Sequence, residues 1–367
     1  MNRRDFLHPR QFAQAAGQVL GAVGEIAPPA LPPEPGADEL PLLCFSHRAM
    51  ATAFELLLPL GTPQARELAA DAFDLLDALE AQLTVYRDSS EVSRLNRLAP
   101  QTDVPVEERL FGLLRLAARI HQESDGAFDV AAGALVKAWG FYRGPRRVPS
   151  EAELREALAR TGMRHVELSD EGRRVRYRRG GLEINLGSIG KGYALDRVAE
   201  RLAGPEPARA RLGPGRLRAG NFGAGLLHGG HSSVYAKGAP ANDPRGWPVG
   251  LSHPWRPERR LAVLYLKDQG LGTSAATFRW LEHQGRKLGH ILDPRSGWPA
   301  EGVASATAVA PSAAEADALA TAFYIQGAEA ARRYCAAHPD VGAVLLPAAE
   351  GARPVVVGLP PVAVELS

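Results

Sequence analysis

Residues 289–327 read GHILDPRSGWPAEGVASATAVAPSAAEADALATAFYIQG, and this stretch decides how the chain is read. His290 and Asp293 stand three apart and run straight into a Pro/Gly turn at Pro294 to Gly297. The small residues that follow read as a strand. A helix is predicted over 313–326, and within it Asp317 and Thr321 stand four apart, so their oxygens share one face. Two hard oxygen donors on a helix, beside a turn that carries an acid and an imidazole, point to a divalent metal and a phosphate ester.

Working outward, the chain has the length for two modest domains or one large one, at 367 residues. Hydrophobic residues make up 45% and charged residues 23%, an ordinary globular balance. The net charge of +2 gives no reason to expect a nucleic-acid partner. Cys44 and Cys335 match neither a zinc site nor a disulfide framework, and leave one disulfide or two free thiols open. No apolar run reaches the ~20 residues of a membrane span.

The first 41 residues differ from the rest. Asn2-Arg3-Arg4-Asp5-Phe6-Leu7 resembles a twin-arginine export signal, and an uncharged stretch follows over 11–24. Pro28, Pro29, Pro32, Pro33 and Pro35 then make a semi-rigid linker. The expectation is a leader and linker over 1–41, a body over 42–350 and a tail over 351–367. A periplasmic or otherwise exported protein is implied if the leader works, and a cytoplasmic one if it does not.

In the body, residues 43–58 read as a strand pair or one long strand, broken around His47-Arg48-Ala49-Met50. An apolar stripe of Leu68, Ala72, Leu75, Leu76, Leu79 and Leu83 predicts a helix over 64–83. Ser89 or Ser90 can cap a short helix through Asn96. Further helices are predicted over 107–123, 151–160 and 328–337. Strands are predicted at 165–168, 174–177 and 182–186, then repeatedly up to Leu266, and at 343–346. Residues 204–220 read as a loop. The fold class is α+β, with mixed, mostly antiparallel sheets flanked by helices.

Leu182 to Asp196 reads LEINLGSIGKGYALD: strand, glycine turn, helix. Gly187, Gly190 and Gly192 let backbone N–H groups approach an anion at a helix N-terminus, and Lys191 adds a point charge. A solvated lysine on a plain glycine turn fits the same residues. The segment is not a Walker A loop, because Asn185 and Gly192 occupy positions where that motif needs Gly and Ser/Thr.

These motifs form a series. Met50-Ala51-Thr52 is followed by Leu83-Thr84-Val85-Tyr86 and Ser90-Glu91-Val92-Ser93-Arg94-Leu95-Asn96. Gly126-Ala127-Phe128-Asp129, Trp139-Gly140-Phe141 and Lys191-Gly192-Tyr193-Ala194-Leu195-Asp196 come next. His290-Ile291-Leu292-Asp293-Pro294 and Ala316-Asp317-Ala318-Leu319-Ala320-Thr321 complete it. In composition and order the series resembles the ApbE-like flavin transferases, the FAD:protein FMN transferases.

The resemblance implies a T-fold-related body and the reaction FAD + protein Ser/Thr → FMN-protein + AMP. It implies Mg²⁺ held by Ser188, Asp317 and Thr321, and catalytic roles for His290, Asp293 and Lys191. Flavin-nucleotide contacts fall on Met50, Tyr86, Ala127, Phe128, Asp129, Asn185, Lys191 and Ile291. The implied partner is an acceptor flavoprotein subunit with a Ser/Thr flavinylation motif. Beside that, Tyr86 and Phe128 could stack on a flavin or fill a core, and Asp129 could hold a ribose or cap a helix. His290 could deprotonate the incoming hydroxyl, bind phosphate, or merely brace a turn.

The chain departs from the family pattern at Ala51, Asn185, His231 and Ala275, where Gly, Asp, Asp/Asn and Gly are usual. Two other readings therefore stay open. One is an FAD pyrophosphatase giving FMN and AMP. The other is an FAD-binding protein with weakened chemistry.

Overall fold

The computed structural model describes residues 41–142, 145–203, 222–276 and 280–367. The leader, most of the linker and the loop expected over 204–220 lie outside those residues. Strands Leu42–Ala49 (β1) and Thr52–Pro59 (β2) form a hairpin. Met50 and Ala51 join them at φ 50° and 61°, the left-handed two-residue turn whose twist matches that of the strands. His47, Arg48 and Ala49, read above as part of the break, are paired with Phe54, Ala53 and Thr52.

The next elements start where capping side chains permit. Ala65–Leu83 (α1) buries Leu68, Ala72, Leu76, Leu79 and Leu83. Ser90 accepts the Ser93 N–H at the start of Glu91–Leu98 (α2). The short strand Val104–Pro105 (β3) leads into Glu108–Glu123 (α3), capped by Glu107. After Gly133–Ala138 (α4), a Ser150/Glu153 capping box opens Glu151–Ala159 (α5). Val166–Ser169 (β4) and Arg174–Tyr177 (β5) join β3 in a small antiparallel sheet, and Gly190–Ala203 forms α6.

The second half alternates hairpins with two helices. Gly225–Gly229 (β6), Ser233–Lys237 (β7), Trp247–His253 (β8), Arg256–Leu266 (β9) and Gln269–Ala275 (β10) follow one another. Then come Trp280–His283 (β11), Arg286–Gly289 (β12) and Val303–Ala310 (β13). Ala313–Gln326 (α7) and Ala328–Ala337 (α8) precede Gly342–Pro347 (β14), Val355–Val357 (β15) and Val364–Leu366 (β16).

The main sheet runs β1-β2-β6-β7-β10-β13-β14-β15, antiparallel throughout. One face packs on the helices through Phe54, Leu56, Leu58, Ala306 and Ala308. The other face meets the sheet β16-β9-β8 through Val234, Leu271, Val309, Trp247 and Leu264. Strand β13 is therefore buried along its whole length, as its run of small residues requires. The C-terminal residues supply an edge strand to each of these two sheets.

The strand predicted at 182–186 is not a strand. Its backbone groups are satisfied by other means: Asn96 bonds both the N–H and the C=O of Ile184 at 2.9 Å, and Asn185 donates its N–H to Val130 O at 2.7 Å. With its polar groups answered by a side chain and a loop, the segment needs no neighbouring strand. Cys44 and Cys335 are both free thiols. Among the described residues no helix is long and apolar enough to cross a membrane.

Candidate functional site

The site is built at the junction of α6 and α7. A Cβ at Gly192 would sit 2.1 Å from Ala313 O, so only glycine lets α6 lie this close to α7. Helix α7 also rests directly on β10, where a Cβ at Gly272 would fall 2.5 Å from the Asp317 N. Asp317 thus sits between a helix and a strand, 7% exposed. It accepts the Gly192 N–H at 2.8 Å, and Ser233 Oγ–H reaches its two oxygens at 2.7 and 2.9 Å. Burial pushes its pKa up, while the Lys191 ammonium, Ser233 and the Gly192 N–H work in the opposite direction.

One turn further along α6, Asp196 accepts the Ala313 and Ala314 N–H groups at 2.7 and 2.9 Å. It caps the start of α7 together with Ser312, which accepts the Glu315 N–H. Burial raises the Asp196 pKa to about 7 against these bonds.

Ser233 is the hydroxyl on the carboxylate itself, and further hydroxyls lie on α7, β10 and β13, where Thr321 bonds the Asp317 backbone carbonyl. Thr321 Oγ1 donates to Asp317 O at 3.2 Å and lies 3.1 Å from Ser274 Oγ, while Thr273 and Thr307 pair at 2.9 Å. Among the described residues no group of three or more His, Cys, Asp or Glu could hold a metal ion. One buried carboxylate among hydroxyls does not suit zinc or copper. It does suit Mg²⁺, which takes few protein carboxylates and completes its shell with phosphate oxygens and water.

The other sequence-predicted residues fall into two groups. Lys191 and Ser188 are half-buried at the start of α6, beside the turn in which Asn185 Oδ1 accepts the Gly187 N–H at 2.9 Å. Of these, the Lys191 ammonium acts on Asp317, while Ser188 and Asn185 stand in the turn just before it. Met50 occupies the β1–β2 turn and donates its N–H to Glu80 at 2.8 Å. Tyr86 is 56% exposed and stacks on Tyr142 at 4.8 Å with the rings nearly parallel.

Ala127 and Phe128 are fully buried, Phe128 in the main core. Asp129 accepts from the N–H groups of Ala131 (2.7 Å) and Met163 (3.2 Å) and pairs with His121. Burial opposes the His121 charge, but Asp129 outweighs it and raises that pKa. His290 meets the Phe141 ring edge-on at 6.4 Å, and Ile291 packs against the main core. Asp293 takes both its oxygens to Arg295 at 2.8 Å and closes the 293–298 turn. The structure thus commits Phe128, Asp129 and Asp293 to packing, loop bracing and an ion pair.

A sequence profile of the ApbE family matches residues 50–212 and 214–345. The chain belongs to the ApbE family. It is 32% identical to the FAD:protein FMN transferase of Treponema pallidum over 284 residues, which is 75% of this chain and 76% of that protein. Its fold matches the ApbE protein of Thermotoga maritima with a TM-score of 0.74 at 26% identity, covering 86% of this chain and 97% of that one. The flavinyl transferase ApbE of Pseudomonas stutzeri, in its apo form, gives a TM-score of 0.72 at 25% identity, covering 87% and 95%.

Two contributors to this ApbE site carry no sequence signal of their role. Ser233 is one polar residue in a strand, and nothing local says that it reaches Asp317. Asp196 is visible in the Lys191–Asp196 motif, but its partners lie 117 and 118 residues away.

Proposed function

We propose that this ApbE-family chain transfers FMN from FAD to a Ser/Thr hydroxyl of an acceptor flavoprotein and releases AMP. The observation that carries the reading is the buried Asp317, held by the Gly192 N–H of α6 and the Ser233 hydroxyl and acted on by the Lys191 ammonium. Asp317, Thr321 and Ser188 would hold Mg²⁺, which when bound neutralises charge on the diphosphate and on the leaving AMP. Lys191 faces the same negative charge. Tyr86, on the exposed side of its stack with Tyr142, offers a face to the isoalloxazine ring. His290 takes the proton of the acceptor hydroxyl as that oxygen bonds the FMN phosphorus and the bond to AMP breaks. The twin-arginine-like leader goes with this reading, and delivers the enzyme to exported acceptors.

The test is incubation with FAD and Mg²⁺, with and without an acceptor protein, followed by chromatography for AMP and FMN. Acceptor-dependent AMP release with FMN bound to protein supports transfer. Equal AMP and free FMN without acceptor means a pyrophosphatase, and bound, intact FAD means a binding protein.

A further inference from the structure

We propose that the tip of the β8–β9 hairpin is a docking element for an anionic lipid surface. The core pairing of these strands ends at Leu251 and Ala262. Beyond it the sequence runs Ser252-His253-Pro254-Trp255-Arg256-Pro257-Glu258-Arg259-Arg260. Every residue from Trp255 to Arg260 is exposed, and Trp255 is 55% exposed. At ~3.3 Å per residue the three residues from Leu251 to Pro254 carry the tip about 10 Å past the core.

The charge on this tip is local. The whole chain carries only +2, yet three arginines face one glutamate here. Arg256, Arg259 and Arg260 make no ion pair with a described residue, although arginines elsewhere, such as Arg201 and Arg245, are paired. Two uncompensated guanidinium groups, Arg256 and Arg259, on the same tip as an exposed indole, with Arg260 lying back against Gly250, match a layer of anionic headgroups over an apolar interior. Tryptophan favours that boundary, and each basic residue is attracted to it.

Shape decides against a protein partner. A narrow convex tip cannot supply the ~800 Å² per side that a stable protein interface needs. Pro254 and Pro257 lack N–H groups, and register shifts at Leu251/Ser252 and Ser252/His253 disturb the ladder, so the arms are poor templates for an added strand. A bilayer accepts a single projecting side chain without either requirement.

The experiment is cosedimentation of the full chain with vesicles of phosphatidylcholine alone, or with about one-third phosphatidylglycerol. Binding is expected only to the anionic vesicles, with a blue shift of tryptophan emission, and is lost at about 0.5 M salt. Each arginine changed to glutamine should weaken partitioning roughly fivefold. Trp255→Ala should remove the blue shift while FAD binding stays unchanged. The proposal is overturned if the chain ignores anionic vesicles, if it binds polyaspartate but not vesicles, or if the triple Arg→Gln chain and Trp255→Ala bind as the parent does.

Discussion

Asp196 and Asp317 are reciprocal caps. Asp196, on α6, accepts N–H groups from the first turn of α7, and Asp317, on α7, accepts an N–H from the first turn of α6. Each helix start is thereby satisfied by a carboxylate from the other helix. The residue read as a metal ligand is fixed in place by the element that also carries Lys191. Chemistry and packing share one hydrogen-bond network at this junction.

Asp196→Asn tests that network. Asparagine keeps one acceptor and loses the other, so urea unfolding at pH 5 should show a loss of about 1–2 kcal/mol. The pH dependence gives a second readout. The native pKa, about 7, is raised above the ordinary 3.8, so the folded state holds this proton more tightly than the unfolded chain. The proton-linked stability is full below about 4 and is lost as pH rises through about 7. The advantage of wild type over Asp196→Asn should therefore shrink from pH 5 to 7 and then level. A difference that stays flat over that range would rule out a raised Asp196.

Gly192→Ala and Gly112→Ala should part company. A Cβ at Gly192 meets the Ala313 backbone at 2.1 Å, and the clash also pulls the Gly192 N–H from Asp317. A loss of more than about 3 kcal/mol is expected, with turnover lost. Gly112 has nothing within 4 Å of a new Cβ and lies within α3. Alanine there should be neutral or stabilise by up to about 1 kcal/mol. Thermal melts of the two variants check both statements.

The long helices were legible because their signals are local. The apolar stripe of α1 and the Ser90 cap lie within a turn of what they specify. The site was legible as a set of motifs, and less so as an arrangement. Strand β10 carries little strand signal because of Gly270 and Gly272, yet these are the residues that let α7 lie on it. Residues 182–186 looked like a strand because Leu182, Ile184 and Leu186 alternate. That pattern reports burial, and Asn96 took over the hydrogen bonds a ladder would have made. The motif that carries Phe128 and Asp129 also builds the loop that holds them, so the sequence alone leaves ligand contact and packing both open.

His228 should oppose Asp196 in acid. Burial lowers its pKa to about 4, with His231 a further cause. The unfolded chain takes up this proton near 6.5 and the native state only near 4. Stability linked to His228 is present above about 6.5 and is lost as pH falls toward 4. His228→Gln cannot titrate, so it should gain on wild type by up to ~1.4 kcal/mol per pH unit between 6 and 5. Urea midpoints at pH 7.5, 6 and 5 measure this. A constant offset at all three would mean the imidazole titrates alike in both states.

Asp317→Ala should remove turnover and also destabilise the fold, since it strands the Gly192 N–H and the Ser233 hydroxyl in a dry site. About 1–3 kcal/mol is expected from urea melts. Ser233→Ala takes away one donor and leaves the carboxylate, so a smaller loss and residual activity should follow. Equal activity in wild type and Asp317→Ala would move the catalytic centre elsewhere.

Asn185→Asp asks whether this ApbE chain is an enzyme short of one charge. Asn185 Oδ1 accepts the Gly187 N–H, and an aspartate oxygen can accept it equally well, so the turn into α6 should survive. What changes is the charge beside Ser188 and Lys191. If Mg²⁺ binds there, the added carboxylate should tighten it and raise turnover most where the metal is scarce. At saturating Mg²⁺ the two proteins should converge, because mass action already fills the weaker site. The comparison is AMP release against Mg²⁺ concentration, with FAD affinity followed separately by flavin fluorescence. Curves that differ in plateau but not in midpoint would place Asn185 in orienting the diphosphate. If both proteins bind FAD and stay silent at every Mg²⁺ concentration, this member of the family holds flavin without transferring it.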